Sequence, residues 1–388
     1  MISGGSAIVV KLGYFCCNIL FFVCCMSDLR SVQAMKSKNA KGACVAKPAN
    51  QNVSCAPSIL IILMGSLGDI ARGLCLVTHI KANLPGSHVT WLVEPKWKDL
   101  VRCHPQIDKV IVFKRAWRIS ALWDLYKVLH QEHFDITLDL QRIMKSGFFS
   151  LLSGADRRIG FHPRNAKESN WIFNNEHINY QPDDLAKIRH YLKFTEYLGL
   201  PEPNTLDFGF STLSVSANAP RVVIEKRDPF VAIVMGASWE SKEWLFEGYV
   251  ELVQRILSIH QLGVILVGDR SQRSAANMLA ERMHAPGLIN LVGQTSLLEL
   301  TAVLKAAVAA VGPDSGPGHL AAAVNTPFVT LFGPTSPKRT APFGFEHLVV
   351  NAEINCAPCY KKKCPERDRR CMTRIKVEDI AEKISKVL

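Results

Sequence analysis

The chain of 388 residues has no uninterrupted apolar run long enough to cross a bilayer. Its best stretch, residues 7–26, is broken by Lys11. The clean part, Leu12 to Met26, falls short of the ~20 residues that a spanning helix needs. No basic segment precedes the run and no small-residue cleavage site follows it, which argues against a signal peptide. The glycine-bearing segment Met64–Gly73 is neither G-x-G-x-x-G nor followed by G-K-[ST], so it carries no dinucleotide or P-loop signature. With 48% hydrophobic and 21% charged residues, wholesale disorder and low-complexity scaffolding are excluded. Acidic residues are the scarce charge: 34 against 46 Lys and Arg, a net charge of +12. That balance points to an anionic partner, which could be nucleic acid, a membrane surface or a phosphorylated substrate.

Cysteine is not scarce. Twelve are present, four of them (Cys16, Cys17, Cys24, Cys25) in the apolar run and four (Cys356, Cys359, Cys364, Cys371) near the C-terminus. The chain is too long for a small disulfide-stapled domain, so the compartment reads as reducing. Residues 1–57 are expected to lie outside the fold. They read as a weak membrane anchor or, as the better reading, as an upstream start, with Met26 or Met35 the real one.

From Ser58 onward the pattern is that of a folded protein. Ser58–Gly65 is a continuous apolar run ending in glycine, as a strand buried on both faces should be. A helix is expected from about Asp69, then strands at HVTWLV, KVIVF, FDITLDL and RRIGF, with a helix at Leu122–Leu129. A second series follows: FVAIVMG, GVILVG, LINLVG, AVAAVG and FVTLFG, each followed by helix or turn. In its first helix Tyr249, Leu252, Val253 and Ile256 mark a sheet-packing face. Asn204–Arg227 reads as a connector and Lys376–Val387 as a final amphipathic helix. Alternating strands and helices imply α/β architecture, here two doubly wound domains, residues 58–215 and 216–388. Ligands in such sheets bind beyond the carboxyl ends of the strands, which places the site in the interdomain cleft.

Several segments at strand ends carry possible chemistry. In MGSLGDIARG, Asp69 is either the cap of the next helix or a general base. In VGPDSGPGHLAAA the backbone N–H groups after Ser315 form an anion site suited to a diphosphate. Gly316 and Gly318 there allow close approach, and His319, one turn in, is a packed helix histidine or, as the glycine density favours, a ligand contact. GASWESKEW offers Ser238 and Lys242, the latter a solvated lysine or a counter-charge to a phosphate. Asp269 is a ribose-binding acid or a turn residue; Thr295 and Ser296 contact a ligand or cap a helix. The cluster Cys356, Cys359, Cys364 and Cys371 is either a structural zinc site or four reduced thiols. The basic residues among and after these cysteines read as a solvated turn or a surface for anionic lipid. Only Tyr360 interleaves with them, which counts against single-stranded nucleic acid.

Taken together, GSLGDIARG, DLQRIMKSG, RRIGFHPRNAKESN, GASWESKEW, GPDSGPGHLAAA and CAPCYKKKCP resemble the ADP-heptose:lipopolysaccharide heptosyltransferases of glycosyltransferase family 9. The match runs in order from about Ser58 to the C-terminus. The resemblance implies a GT-B fold, with the acceptor on the N-terminal half and the sugar nucleotide on the C-terminal half. By position it implies that Asp69 is the catalytic base and Lys242 the donor-phosphate lysine. Ser238, Asp269, Thr295, Asp314, Ser315, Gly316 and His319 would bind the donor, ADP-heptose. Arg118, Arg142, Lys145 and Arg164 would face a phosphorylated inner-core acceptor. Met235 stands where the family usually has proline, and residues 1–57 have no family counterpart.

The chemistry implied is inverting transfer. A carboxylate takes the acceptor hydroxyl's proton as its oxygen attacks the anomeric carbon. Lys242 and the helix start near Ser315 stabilise the departing ADP. No D-x-D pair sits on the donor loop, so no obligatory metal or other cofactor is implied. Alternatives are a related enzyme using another sugar nucleotide or a protein acceptor, and a non-catalytic sugar-nucleotide-binding module. Nucleic acid is not expected as a partner. Residues 1–57 carry six basic and one acidic residue and residues 351–388 ten and six, which leaves +3 for the rest. The basicity thus belongs to the ends, suited to holding a cytoplasmic enzyme peripherally against the inner face of an anionic membrane.

Overall fold

Both domains begin with a strand buried on its two faces, and both wind outward from it in the same order. The computed structural model describes residues 56–114, 119–221 and 228–388. The expected anchor or unused start, the cysteines before Cys75, and Arg118 lie outside the described residues.

The first sheet contains β1 (Ser58–Ile62), β2 (His88–Val93), β3 (Lys109–Val112), β4 (Ile136–Asp139), β5 (Arg157–Gly160) and β6 (Glu176–His177). Its longer helices are α1 (Leu67–Asn83), α2 (Ile119–Glu132), α3 (Met144–Leu152) and α4 (Lys187–Tyr197). The second sheet contains β7 (Phe230–Met235), β8 (Gly263–Gly268), β9 (Leu288–Asn290), β10 (Ala309–Pro313), β11 (Phe328–Phe332) and β12 (Val349–Asn351). Its longer helices are α5 (Phe246–Ser258), α6 (Arg273–Met283), α7 (Leu297–Ala306), α8 (Gly316–Ala323) and α9 (Val377–Ser385).

The strand order is β3-β2-β1-β4-β5-β6 in one sheet and β12-β11-β10-β7-β8-β9 in the other, and every pairing is parallel. Counted from its own first strand, each sheet follows the order 3-2-1-4-5-6. The winding direction therefore reverses between β1 and β4 and again between β7 and β10, and a crevice opens beyond their carboxyl ends. The expected pair of doubly wound Rossmann-like domains is what the chain forms.

Burial follows from the composition of the strands. Ile59, Leu60, Ile61 and Ile62 are fully buried, as are Val231, Ala232 and Ile233 in β7. Tyr249, Leu252, Val253 and Ile256 are all buried on α5, at the positions their spacing indicated. The expected elements appear with modest shifts of boundary. Among the described residues β6, β12, α4 and several one-turn helices are additional to those expected.

The described chain divides into two compact units. Residues 114–131 belong to one, and within it Leu122, Leu125 and Leu129 make the buried face of α2. Residues 56–113 and 132–388 belong to the other, which holds both sheets and the site described next. Among the described residues no helix is long and apolar enough to cross a membrane.

Candidate active site

A cleft of about 1540 Å³ opens at the two reversal points and is lined by both halves. From the first half come Asp69, Arg142 and Lys187; from the second, Lys242, Asp314 and Ser315.

Asp69 sits in the first turn of α1, after the strand–turn segment that follows β1. Gln141, beyond β4, holds that turn. Its Oε1 accepts from the Met64 N–H at 2.6 Å and its Nε2 donates to the Gly65 carbonyl at 2.8 Å. The cap reading of Asp69 is what the helix start shows. Its Oδ2 accepts from Ser66 N at 3.2 Å and Ser66 Oγ at 3.0 Å, closing the helix start. The residue lines the cleft, and its Oδ1 accepts from Arg72 Nη2 at 2.6 Å, Tyr191 Oη at 3.0 Å and Lys187 Nζ at 3.4 Å. Burial raises the Asp69 carboxyl, but the Arg72 and Lys187 cations outweigh it and hold the group well below the usual carboxylate range. Burial, with the Arg72 and Arg339 cations adding to it and Asp69 opposing, lowers Lys187, and burial together with the Asp69 charge raises Tyr191.

Across the cleft, Lys242 ends a short turn after β7. Its Nζ donates to Asp314 Oδ2 at 2.7 Å and to the Asp314 carbonyl at 3.1 Å, and lies 4.7 Å from the Trp239 ring centre. Asp314, 5% exposed, also accepts from Thr335 Oγ1 at 2.7 Å and Thr340 Oγ1 at 3.3 Å. Its carboxylate therefore orients the lysine. Ser315 begins α8, and its buried Oγ has no hydrogen-bond partner among the described residues. Gly316 and Ser238 line the same wall. Asp269 and Thr295 line it too, although Asp269 is also a turn cap, accepting from Ser271 N at 3.3 Å. Ser296 caps α7 through Glu299 N at 3.2 Å. His319 is buried against Arg72, and burial followed by the Arg72 cation holds its ring well below the ordinary histidine value.

The arrangement is a carboxylate on one wall opposite a lysine and a helix amino end on the other. It suits abstraction of a proton on one side and stabilisation of a departing anion on the other. Residues 122–369 match the family described as Glycosyltransferase family 9 (heptosyltransferase). The chain belongs to glycosyltransferase family 9.

Relatives bear the same stamp. This family 9 chain is 27% identical over 351 residues to the lipopolysaccharide core heptosyltransferase OpsX of Haemophilus influenzae, covering 85% of this chain and 96% of that protein. It is 26% identical over 357 residues to lipopolysaccharide heptosyltransferase 1 of Pseudomonas aeruginosa, covering 85% and 98%. Its fold is similar to that of E. coli ADP-heptose lps heptosyltransferase II, with a TM-score of 0.69, 20% identity, and coverage of 85% of this chain and 98% of that one. It is equally similar to E. coli heptosyltransferase WaaC with ADP, with a TM-score of 0.69, 22% identity, and coverage of 85% and 100%. The GT-B fold expected of the family 9 chain is thereby shown.

Of the residues expected to face an acceptor, Arg142 lines the cleft while Lys145 and Arg164 do not. Arg142 has a backbone φ of 69°. That left-handed conformation costs a bulky residue on the order of 1–3 kcal/mol. Contacts on both its ends hold it: its carbonyl accepts from Lys167 N at 2.7 Å, and its Nε donates to the Asn165 carbonyl at 2.7 Å. Lys145 instead lies beside Glu94 and over the Phe113 and Phe149 rings, and Arg164 stacks on Tyr180 at 4.4 Å. Neither is among the residues lining the cleft, whereas Lys96, Lys167, Lys187 and Arg339 are. Lys187 and Tyr191 had a signal: Ile188, Tyr191, Leu192 and Thr195, all buried on α4, repeat at helical spacing.

The four C-terminal cysteines are free, from exposed Cys356 to buried Cys371. Burial, followed by the neighbouring Cys356, Cys359 and Cys364, pushes the Cys371 thiol up to about 11. Among the described residues no group of three or more histidine, cysteine or acidic side chains is gathered to hold a metal ion.

Proposed function

We propose that the chain transfers heptose from ADP-heptose to the phosphorylated inner core of lipopolysaccharide by a single inverting displacement. The observation that carries this reading is the Asp69 carboxylate facing, within one cleft, Lys242 and the amino end of α8. The names of the relatives supply the sugar and the acceptor class. Asp69 takes the proton of the acceptor hydroxyl while that oxygen bonds to the anomeric carbon. The bond from that carbon to the diphosphate breaks, and ADP leaves with the electron pair. Because Asp69 is a weak base in this setting, proton transfer trails carbon–oxygen bond making, when the hydroxyl has become acidic. Lys242, oriented by Asp314, and the amino end of α8 stabilise the growing charge on ADP.

On the donor wall Ser238, Asp269, Thr295, Ser315 and Gly316 bind the nucleotide sugar. On the acceptor wall Arg142 supplies charge for phosphate, and Lys145 and Arg164 add positive charge from outside the cleft lining. Positive charge at the leaving group comes from Lys242, so the transfer has no obligatory metal. The enzyme works in the cytoplasm, held peripherally on the inner face of the membrane by its basic C-terminal loop.

Purified protein mixed with ADP-heptose and either heptose-free or singly heptosylated core should release ADP, with or without EDTA. Asp69→Asn should lower kcat by about 10²–10⁴-fold, the usual contribution of a positioned base. No release from either acceptor overturns the reading, and loss of activity in EDTA overturns the metal-free step.

A further inference from the structure

The amino ends of α1 and α8 pack directly on one another. A Cβ on Gly68 would stand 2.7 Å from His319 Cδ2, and one on Gly316 would stand 2.7 Å from Leu67 Cβ. Glycine at both positions lets His319, from the nucleotide half, reach α1. There its Nε2 meets Arg72 Nη1, while Nη2 of the same guanidinium binds Asp69 Oδ1 at 2.6 Å.

A guanidinium can only donate, so His319 Nε2 is the acceptor and the ring is neutral, with its proton on Nδ1. Arg72 is 6% exposed and joins the two halves of the protein at the base itself. We propose that His319 and Arg72 are positioning residues for the transfer: His319 fixes Arg72, and Arg72 fixes the Asp69 carboxylate that accepts the proton. This rests on Asp69 being the general base, and it departs from the expectation that His319 contacts the donor.

The arrangement makes the base conditional on the two halves being together. When α8 withdraws, Arg72 loses its acceptor and its guanidinium can turn on a long side chain. The remaining groups around Asp69 are Ser66, at the head of its own helix, and Lys187 and Tyr191 from α4. Around His319 stand Arg72, Asp69, Lys187 and Lys242. A base assembled only in the closed arrangement has less opportunity to activate water against the donor.

The test compares Arg72→Met, His319→Leu, His319→Gln and the double variant Arg72→Met/His319→Leu. The readouts are kcat across pH, the donor KM and ADP affinity by calorimetry. Arg72→Met and His319→Leu should each lower kcat by roughly 10²-fold, as misplacement of a reacting group does. ADP affinity should stay within about threefold, since the loss lies in the transition state. Arg72→Met removes the main cation that depresses Asp69, so the acid limb of kcat should move to higher pH. The double variant should lose no more than Arg72→Met alone, because the two act as one unit. His319→Gln, which keeps an acceptor oxygen in a similar space, should recover most of the leucine loss and guards against a mere packing defect. Weakened ADP binding in His319→Leu with kcat intact at saturating donor would make His319 a donor ligand and overturn the inference. So would losses that multiply in the double variant. Full activity of Asp69→Asn would instead remove the base assignment on which both rest.

Discussion

Lys242 and Asp314 show how a buried charged pair in the cleft carries a risk to stability. Their side chains are 13% and 6% exposed, and they meet at 2.7 Å. A buried pair gains little net stability, but removing one partner strands the other, at a cost of about 3–5 kcal/mol. Lys242→Met should therefore lower the melting temperature as well as kcat, the latter by about 10²–10³-fold if the ammonium stabilises ADP. Thermal melts and initial rates on the same preparations check both halves. A rate loss with an unchanged melt would mean that Thr335 and Thr340 satisfy Asp314 without the lysine. Both residues stood out in the sequence as glycine-flanked strand ends, but their pairing did not. They are 72 positions apart and meet only because β7 and β10 are neighbours. Asp69 was legible in the opposite way: the cap pattern alone left two readings open, and the fold shows the cap through Oδ2 while leaving Oδ1 to Arg72, Tyr191 and Lys187.

Strands buried on both faces were legible as continuous apolar runs. The edge strands β3 and β9 were legible too, from the apolar residues in KVIVF and LINLVG, whereas β6 and β12, of two and three residues, are too short to carry a pattern. The connector Asn204–Arg227 hid a different feature. Phe208 and Phe210 are buried, and between them Gly209, with φ of 75°, packs its backbone against His104. The His104 Nδ1 accepts from Gln106 N at 3.2 Å, leaving Nε2 to donate to Thr78 Oγ1 at 3.2 Å. The ring is thus neutral, and burial lowers its pKa to about 4 from an ordinary 6.5, with Asp207 opposing weakly. Between those values the unfolded chain binds the proton and the folded one does not. The stability this histidine contributes is complete above pH 6.5 and is lost as pH falls toward 4. The span corresponds to roughly 3 kcal/mol. Urea unfolding of wild type and His104→Gln between these limits should give a shallower pH slope for the variant. Parallel slopes would show that His104 is not the group responsible.

Net charge is a property of the protein as a whole, yet here it has an address. The loop from Tyr360 to Arg370 is tied to the turn that carries Lys242: Ser241 N donates to the Lys362 carbonyl at 3.1 Å and Ser241 Oγ to the Lys361 carbonyl at 2.6 Å. Arg369 reaches the carbonyls of Glu240 and Glu243 at 3.3 Å each. The backbone is thus committed inward, while the side chains of Lys361, Lys362, Lys363 and Arg367 are exposed. Exposed lysines beside a cleft have little effect on folding, but each adds about 1 kcal/mol of attraction near an anionic bilayer. The protein should therefore float with vesicles rich in anionic lipid and not with neutral ones. The binding should vanish between about 0.1 M and 1 M salt, as the screening length contracts from ~10 Å to ~3 Å. Substituting Lys361→Glu, Lys362→Glu and Lys363→Glu together should abolish flotation at the lower salt and raise KM for acceptor presented in vesicles. Equal flotation on neutral lipid, or flotation that persists in high salt, would mean that apolar surface rather than this loop meets the membrane.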